Sequence, residues 1–395
     1  MQYSVKKIFN YIKWGDIGHF FLCLVVFPFA IIAKIFLRGY WLVCEDRAEA
    51  RDNGYQFFKW VRENKPKQKV LYAIDKKSPD YQKVKPLGKV VGYGTVAHWF
   101  WYIVADKNIS SQKCGKPNAA VCYFFEVVLK LRKKNRVFLQ HGITVNDGAW
   151  IYYKNTYFWR FITAAQPEQA YIEEKFGYPE NHVKMLGFPR FDALHNVERD
   201  ERLILVMPTW RNWLGRSSRD NKGMDFADTE YFCKWNEFLQ DERLIRLLEK
   251  HDKKLLFYPH RNMQKFLGYF TSSSPRITIA DWKEYDIQDL LKKSALLITD
   301  YSSVFFDFSY MRKPVIFYQF DEKEYREKQL SEGYFNYRDT VLGEWSDKLS
   351  AALALLEKQL EKGMPLLSEE KIREFFSLWD TENNQRVYEE VKKGI

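Results

Sequence analysis

Short β-forming runs alternate with helical stretches along most of the chain beyond Cys44, and this alternation constrains the fold more than any other feature. Strands are predicted over residues 69–74, 89–92, 136–139, 203–207, 254–258, 276–279, 295–299 and 314–318. Helices are predicted between them over residues 119–133, 229–250 and 286–293. This order is typical of parallel sheets that are covered by helices.

The length of 395 residues exceeds the roughly 100–200 residues of one domain, so we expect two core-forming domains. Residues 196–202 are charged and lack apolar periodicity, which suits a linker. We therefore predict an α/β protein with two Rossmann-like, doubly wound domains, over residues 44–198 and 199–395. The charged helical pattern of residues 371–393 predicts a solvated helix that closes the second domain.

Residues 20–33 form the most apolar stretch of the chain, with lysines before and after it. At about 1.5 Å per residue it reaches roughly 21 Å, less than the roughly 30 Å of a hydrocarbon core, and Pro28 would kink a helix. A signal peptide, a spanning helix extended to residue 37 and a segment lying in the membrane interface remain open. Because the aromatic residues that follow suit an interface and no cleavage site is evident, residues 1–43 are expected to attach the chain to a membrane.

The charge balance bears on the possible partners, and the cysteines bear on the cellular compartment. There are 62 Lys and Arg against 51 Asp and Glu, giving a net charge of +11 that suits nucleic acid, anionic lipid and phosphate-bearing substrates equally well. The five cysteines are scattered without a C-x-x-C spacing, which favours a reducing cytosol over a disulfide framework or a zinc site.

Two histidines follow predicted buried strands, where doubly wound sheets place their ligands. His141 precedes Gly142, and His260 precedes Arg261. A histidine can take a hydroxyl proton near neutral pH, as transfer to an alcohol requires, and a guanidinium beside a histidine can bind phosphate oxygens. A structural role for either histidine remains the alternative.

Two further strand ends carry residues suited to phosphate. Ser302 and Ser303 stand between a buried strand and a helix, where hydroxyls and backbone N–H groups can bind a diphosphate. The alternative is that these serines only cap the helix. Arg211 follows the strand 203–207 and could hold a phosphate, the alternative being a surface arginine without a ligand. Residue types alone do not separate a sugar donor from a polyol phosphate donor.

Six motifs in a fixed order carry a family resemblance. They are HGI (141–143), GFPRFD (187–192), PTWR (208–211), YPHR (258–261), TDYSSVFFDF (299–308) and KPVIFYQFD (313–321). Together they resemble the CDP-glycerol glycerophosphotransferase family of teichoic acid synthesis over roughly residues 40–330, and residues 44–58 (CEDRAEARDNGYQFF) are similar to that family as well.

The resemblance implies a GT-B-like fold, with two domains facing a cleft, and monotopic attachment to the cytoplasmic face of the cell membrane. It implies that His141 is the general base and that His260 stabilises the transferred phosphate. The donor-binding and pocket positions that it implies are Gly142, Arg211, Ser302, Ser303 and Asp307, with Arg190, Thr209, Arg261 and Tyr301 as further pocket candidates. The family's usual Thr-Pro after the HG pair is Ile143-Thr144 here, which leaves the backbone beside His141 open.

The implied partners are CDP-glycerol or CDP-ribitol, a lipid-linked (undecaprenyl diphosphate) acceptor and the membrane surface, with CMP as a product and no nucleic acid. No cofactor is expected, and the lack of a dense carboxylate cluster predicts that no metal is needed. The rival classes are a GT-B glycosyltransferase that uses a nucleotide sugar and a protein that only binds nucleic acid or lipid. Glycerol versus ribitol, and primase versus polymerase, remain open.

Overall fold

The computed structural model describes residues 13–113, 115–131, 135–215 and 225–394, which form two compact units. Unit 1 consists of the described residues within Met1–His141, Gly148–Ala193 and Asp380–Ile395. Unit 2 consists of those within Gly142–Asp147 and Leu194–Trp379. Each unit has its own parallel sheet with helices between successive strands, so the predicted α/β class is confirmed.

The described part of unit 1 contains a parallel sheet with the strand order β3-β2-β1-β4-β5-β6-β7. Its strands are β1 (Tyr40–Val43), β2 (Lys69–Ile74), β3 (Val90–Gly92), β4 (Lys107–Ser110), β5 (Arg136–Phe138), β6 (Arg160–Thr163) and β7 (Val183–Met185). The α-helices of this unit are Trp14–Phe36, Asn53–Asn64, Tyr81–Val84, Val96–Val104, Ala119–Tyr123, Tyr153–Thr156, Gln166–Lys175 and Asn383–Lys392. The strand order reverses between β1 and β4, where a doubly wound sheet opens a crevice for ligands.

The described part of unit 2 contains a parallel sheet with the order β10-β9-β8-β11-β12-β13. Its strands are β8 (Asp200–Met207), β9 (Lys254–Phe257), β10 (Ile277–Ile279), β11 (Ser294–Thr299), β12 (Val315–Tyr318) and β13 (Glu344–Ser346). The α-helices are Asn212–Gly215, Glu230–Gln240, Glu242–Lys250, Ile287–Lys293, Val304–Tyr310, Glu322–Lys328, Leu349–Glu361 and Glu369–Phe375. Here the order reverses between β8 and β11.

The ends of the predicted domains differ from those of the units. Tyr40–Val43 falls within the predicted membrane segment but is strand β1 in the interior of the first sheet. Asp200–Met207 is a single strand, so it takes up part of the predicted linker. The last helix, Asn383–Lys392, belongs to unit 1 rather than to the second domain. It is not solvated on all sides, because Val387 and Val391 are fully buried in the unit 1 core.

Two predicted helices are shorter than the sequence pattern indicated. The stretch 229–250 divides at Asp241, whose extended backbone ends one helix and whose carboxylate accepts the backbone N–H groups of Arg243 and Leu244 to begin the next. The helix predicted over 119–133 is α-helical only over Ala119–Tyr123 and continues as a π-helical turn over Phe124–Val128. Its predicted end at residues 132–133 lies outside the described residues.

The N-terminal helix, Trp14–Phe36, is longer than the apolar stretch predicted for it and runs on through Pro28. Its 23 residues span about 34 Å, so by length and composition it could cross a membrane. One face packs on unit 1 through Cys23, Val26 and Ala30, which are buried. The opposite face exposes large apolar side chains, namely Phe21, Leu24, Val25, Phe27, Phe29, Ile31, Ile32, Ile35 and Phe36.

A buried ion cluster links the π-helical turn to the first sheet. Glu126 accepts hydrogen bonds from Lys116 at 2.8 Å, from Arg136 at 2.9 Å and from the Tyr102 hydroxyl at 2.5 Å. Burial raises the pKa of Glu126, but Arg136 and Lys116 outweigh that effect and lower it to about 2. Because this pKa lies below its unfolded value, the cluster stabilises the fold above about pH 4.5, and the stabilisation is lost as the pH falls towards 2.

Replacing Glu126 by Gln is expected to lower the free energy of unfolding by about 2–3 kcal/mol at pH 7, since two buried cations lose their anion. At pH 3 the difference between the variant and the parent protein should shrink. Urea unfolding at both pH values measures it, with the exposed Glu63→Gln as control. If the free energies of unfolding of the variant and the parent protein differed equally at pH 3 and pH 7, the result would contradict the negative charge assigned to Glu126.

Candidate active site

In unit 1 the polar residues gather where strands β1, β4 and β5 end, at and beside the reversal of strand order. Asp52 lies in the segment after β1, Gln112 follows β4 and His141 follows β5. The three side chains meet at one atom, Nδ1 of His141, which lies 2.6 Å from Asp52 Oδ2 and 2.9 Å from the Gln112 amide. The His141 side chain is 71% exposed.

Asp52 is the residue of this group that the sequence reasoning missed. Burial raises its pKa, but the charges of His141 and Arg190 together with hydrogen bonds outweigh the effect and hold the pKa of Asp52 below its usual value. Asp52 is therefore an anion at neutral pH. The signal was present in the family-like stretch 44–58, but that stretch carried no assigned role and no spacing linked it to His141, 89 residues away.

Arg190 was a candidate pocket residue without an assigned role, and it is only 4% exposed. Its Nη1 donates to Asp52 Oδ1 at 3.2 Å. The same motif positions the C-terminal helix, since both oxygens of Asp192 accept hydrogen bonds from Asn383 and Asn384. The GFPRFD motif is thus part of the framework of unit 1, and Arg190 contacts Asp52.

In unit 2 the corresponding reversal of strand order holds a buried ion cluster. Arg211 is 0% exposed, with Nε bonded to Asp321 Oδ2 at 2.7 Å and Nη2 bonded to Asp300 Oδ2 at 2.8 Å. Its Nη1 donates to the Thr209 carbonyl at 2.8 Å. This burial contradicts the surface alternative for Arg211, whereas the phosphate-binding role stays a prediction. The guanidinium joins the segments that follow β8, β11 and β12.

Tyr301 and Thr209 belong to the same cluster rather than to an open pocket. The Tyr301 hydroxyl lies 3.3 Å from Asp321, and the Thr209 backbone N–H donates to Asp300 at 2.8 Å. Tyr301 is 3% and Thr209 is 8% exposed. Burial raises the pKa of Asp300 despite the neighbouring Arg211. Three motifs, PTWR, TDYSSVFFDF and KPVIFYQFD, thus supply one buried network.

His260 and Arg261 are exposed at the end of β9, as the sequence predicts for ligand-facing residues. His260 Nδ1 accepts the Asn262 backbone N–H at 3.2 Å, which leaves Nε2 as the N–H donor of the neutral ring. The His260 ring stacks at 6.1 Å from Trp210, and the Arg261 guanidinium lies 4.4 Å from the centre of the Trp282 ring. The two aromatic neighbours limit the orientations of both side chains.

Ser302 and Ser303 are half-buried between β11 and the helix Val304–Tyr310. The Ser303 side chain makes no capping hydrogen bond, so capping alone does not explain this residue. A Cβ added to Gly142 would lie 2.9 Å from Ser303 Oγ, so the glycine lets the backbone at residue 142 approach Ser303 closely. Asp307, the third donor-binding position that the resemblance implies, is 4% exposed inside the helix, and its role stays a prediction.

Among the described residues, no group of three or more His, Cys, Asp and Glu side chains is placed to hold a metal ion. The independence from metal that the sequence indicates stays a prediction.

Comparison with known proteins decides the family. A family model described as CDP-Glycerol:Poly(glycerophosphate) glycerophosphotransferase matches residues 38–393. The chain belongs to this glycerophosphotransferase family. Among its curated relatives, the minor teichoic acid biosynthesis protein GgaB of Bacillus subtilis is 31% identical over 366 residues, covering 89% of this chain and 39% of GgaB. The ribitol-phosphate polymerase TarK of Staphylococcus aureus is 25% identical, covering 58% of this chain and 44% of TarK.

The chain thus spans about two fifths of the length of these relatives. Among solved structures, a variant of the wall teichoic acid polymerase TagF superposes with a TM-score of 0.65 at 16% identity. That match covers 96% of this chain and 98% of TagF as solved. The predicted GT-B-like fold is confirmed.

Proposed function

We propose that this glycerophosphotransferase moves a polyol phosphate from a CDP-activated donor, CDP-glycerol or CDP-ribitol, to a hydroxyl of a lipid-linked acceptor. The acceptor is the growing end of a teichoic acid or a related wall polymer. One observation carries the proposal: the exposed His141 stands just after a strand, and its Nδ1 is held by a buried carboxylate. The chain that contains this pair belongs to the glycerophosphotransferase family. Such a histidine is suited to remove a proton from an alcohol.

The reaction we propose for these residues is a direct displacement at phosphorus. The acceptor oxygen attacks the phosphorus that carries the polyol, and its proton passes to Nε2 of His141. The bond from that phosphorus to the bridging oxygen breaks, and CMP leaves with the bond's electron pair. Positioning and charge stabilisation supply most of the acceleration in phosphoryl transfer, so the base needs correct placement more than unusual basicity.

Unit 2 contributes the groups suited to the donor phosphates. His260 offers its Nε2–H, and the exposed Arg261 offers a guanidinium on the same strand end. The hydroxyls of Ser302 and Ser303 can donate to further phosphate oxygens. Arg211 is left out of this role because its N–H groups are directed to Asp300, Asp321 and the Thr209 carbonyl.

The nucleotide product tests the proposal. The purified protein is incubated with CDP-glycerol, CDP-ribitol or nucleotide sugars together with a lipid-linked acceptor analogue, and the nucleotides are separated by chromatography. We expect CMP from one of the CDP-polyols, in an amount that depends on the acceptor. Release of a nucleoside diphosphate from a nucleotide sugar, with both CDP-polyols intact, would instead identify a glycosyltransferase.

We further propose that the helix Trp14–Phe36 lies in the interface of the membrane's cytoplasmic face rather than crossing the bilayer. The helix packs on unit 1 through polar and ring contacts near its start and through buried side chains as far as Ala30. The Asn118 amide donates to Asp16 at 2.8 Å, the Trp99 indole donates to His19 at 3.1 Å, and Phe20 stacks on Phe125 at 5.5 Å. A helix held against its domain in this way presents its other, apolar face to lipid.

Replacing Phe21, Phe29 and Ile32 together by serine is expected to weaken binding to phosphatidylglycerol vesicles by at least about 100-fold. The three side chains are 60%, 67% and 60% exposed, and burial of one such side chain in an apolar medium contributes about 1.5–3 kcal/mol. Vesicle flotation measures the bound fraction. The control is Leu366→Ser, which removes a similarly exposed apolar side chain from unit 2. Equal flotation of the triple variant and the control would contradict the proposed membrane face.

A further inference from the structure

Residues 44–58 form a framework around Asp52 that has no role in the proposed transfer reaction itself. Glu45 is 2% exposed, and its carboxylate accepts the backbone N–H groups of Arg51 at 3.0 Å, Asp52 at 3.2 Å and Tyr55 at 2.5 Å. A Cβ at Gly54 would lie 2.8 Å from Glu45 Cγ, so a larger residue there would displace Glu45. This short segment therefore fixes the backbone at the start of the helix Asn53–Asn64.

Asn53 connects that helix to the backbone beside His141. Its amide nitrogen donates to the carbonyl of Gln140 at 2.8 Å, and its Oδ1 accepts the Arg190 backbone N–H at 3.1 Å. Gln140 has a φ of 61°, a left-handed conformation that is costly for a residue with a Cβ. The Gln140 side chain also donates to the buried Glu168 at 2.7 Å. These contacts hold the strained turn that directs His141 outward.

Asp52 meets the imidazole itself. Its Oδ1 accepts the Asn53 backbone N–H at 2.7 Å and a guanidinium N–H of Arg190 at 3.2 Å. Its Oδ2 lies 2.6 Å from His141 Nδ1. An ionised carboxylate can only accept hydrogen bonds, so Nδ1 has to carry the proton. The Gln112 amide is placed with its nitrogen 2.9 Å from Nδ1, and two N–H donors cannot pair. A protonated Nδ1 therefore requires the Gln112 amide to be turned so that its oxygen faces the ring.

We propose that Asp52 is a positioning residue for the transfer reaction: it fixes His141 in the tautomer that is protonated at Nδ1, so that the lone pair of Nε2 faces the acceptor hydroxyl. Glu45, Asn53 and Arg190 keep Asp52 in place. The inference rests on the proposed function, in which His141 is the base. It assigns a task to the two family-like motifs, residues 44–58 and 187–192, that the sequence reasoning left without one.

The charges around His141 set the expected pH dependence. The anion Asp52 faces the ring, and Arg190 lies behind that carboxylate. Glu45 is a second carboxyl group close to Asp52, and burial together with the charge of Asp52 raises the pKa of Glu45 to about 8. Glu168 reaches the site through Gln140. Removing the charge of Asp52 therefore takes away the anion that most favours protonated His141.

The test uses the full chain with selectively ¹⁵N-labelled histidine, in the parent protein and in two variants. Asp52→Asn keeps the size of the side chain, and Asp52→Ser keeps a helix-capping oxygen while removing the carboxylate. Asp75→Asn, at an exposed ion pair with Arg47, is the matched control. The His141 signals are assigned by their absence from the His141→Gln spectrum.

We expect the parent and the control to show the tautomer protonated at Nδ1. Both Asp52 variants should show a larger share of the other tautomer, a His141 titration midpoint at lower pH, and a kcat lower by about 100-fold with KM for the donor changed less than about threefold. The acidic limb of their pH–rate profile should move to lower pH by the same amount as the NMR midpoint.

An unchanged tautomer and midpoint in both variants would overturn the positioning role, even if turnover fell, because the loss would then be structural. A changed tautomer with undiminished turnover would overturn it as well. If the parent protein releases no CMP from any donor while the NMR result is as expected, the positioning of His141 stands and the proposed function fails.

Discussion

Replacing His141 by Ala is expected to lower kcat for CMP release by about 10²- to 10⁴-fold. The reason is that the acceptor hydroxyl loses the group that takes its proton, and positioned general bases contribute about this much to a rate. Binding of the CDP-polyol should change little, since unit 2 supplies the groups proposed for its phosphates. Steady-state kinetics measure the first effect, and calorimetric titration with the donor measures the second.

The control for that experiment is His182→Ala, which removes a half-buried imidazole of unit 1 that bonds the Phe158 carbonyl. This variant is expected to keep its turnover within about twofold. Turnover of His141→Ala at the level of the control would contradict the assignment of the base. A donor affinity lost in parallel with kcat would mean that His141 binds the donor instead.

Replacing Arg211 by Met is expected to lower the free energy of unfolding by about 3–5 kcal/mol. The substitution leaves Asp300 and Asp321 buried together without their shared cation, and breaking a buried ion pair from one side has a cost of about this size. Arg211→Lys should recover only part of the loss, because an ammonium cannot bridge two carboxylates as the planar guanidinium does. Urea unfolding followed by tryptophan fluorescence measures both changes.

The triple variant Arg211→Met, Asp300→Asn, Asp321→Asn separates charge from packing. Removing both anions with the cation should restore part of the stability, since no unpaired charge remains buried. If Arg211→Met unfolds at the urea concentration of the parent protein but binds the CDP-polyol more weakly, the arginine is a ligand contact, as the sequence alone indicated.

Sequence reasoning found the two histidines because each follows an apolar run that reads as a buried parallel strand. His141 follows β5 and His260 follows β9, and polar residues just beyond such strands point towards the ligand side of a doubly wound sheet. The fold class could be predicted for the same reason. The prediction of the histidines and the prediction of the fold class both rest on local patterns, each made of one apolar strand and the residues that directly follow it.

Contacts between segments that are far apart in the chain could not be predicted from such local patterns. Strand β4, KNIS, reads as polar, yet Lys107 is buried because its ammonium lies 3.4 Å from the centre of the Trp159 ring and donates to the Lys393 carbonyl at 3.1 Å. Strand β1 contains Trp41, which reads equally well as an interfacial aromatic. Arg211 looked like a ligand contact because its two carboxylate partners lie 89 and 110 residues further along the chain.

The mass of the lipid product is the most direct test of the proposed transfer of a polyol phosphate. The protein is incubated with CDP-glycerol or CDP-ribitol and a lipid-linked acceptor analogue, and the lipid fraction is analysed by mass spectrometry alongside the amount of CMP. We expect a product heavier by one or more whole polyol phosphate units, with one CMP released for each unit. An unchanged lipid, or a lipid that gains a sugar without phosphorus, would contradict the proposed transfer.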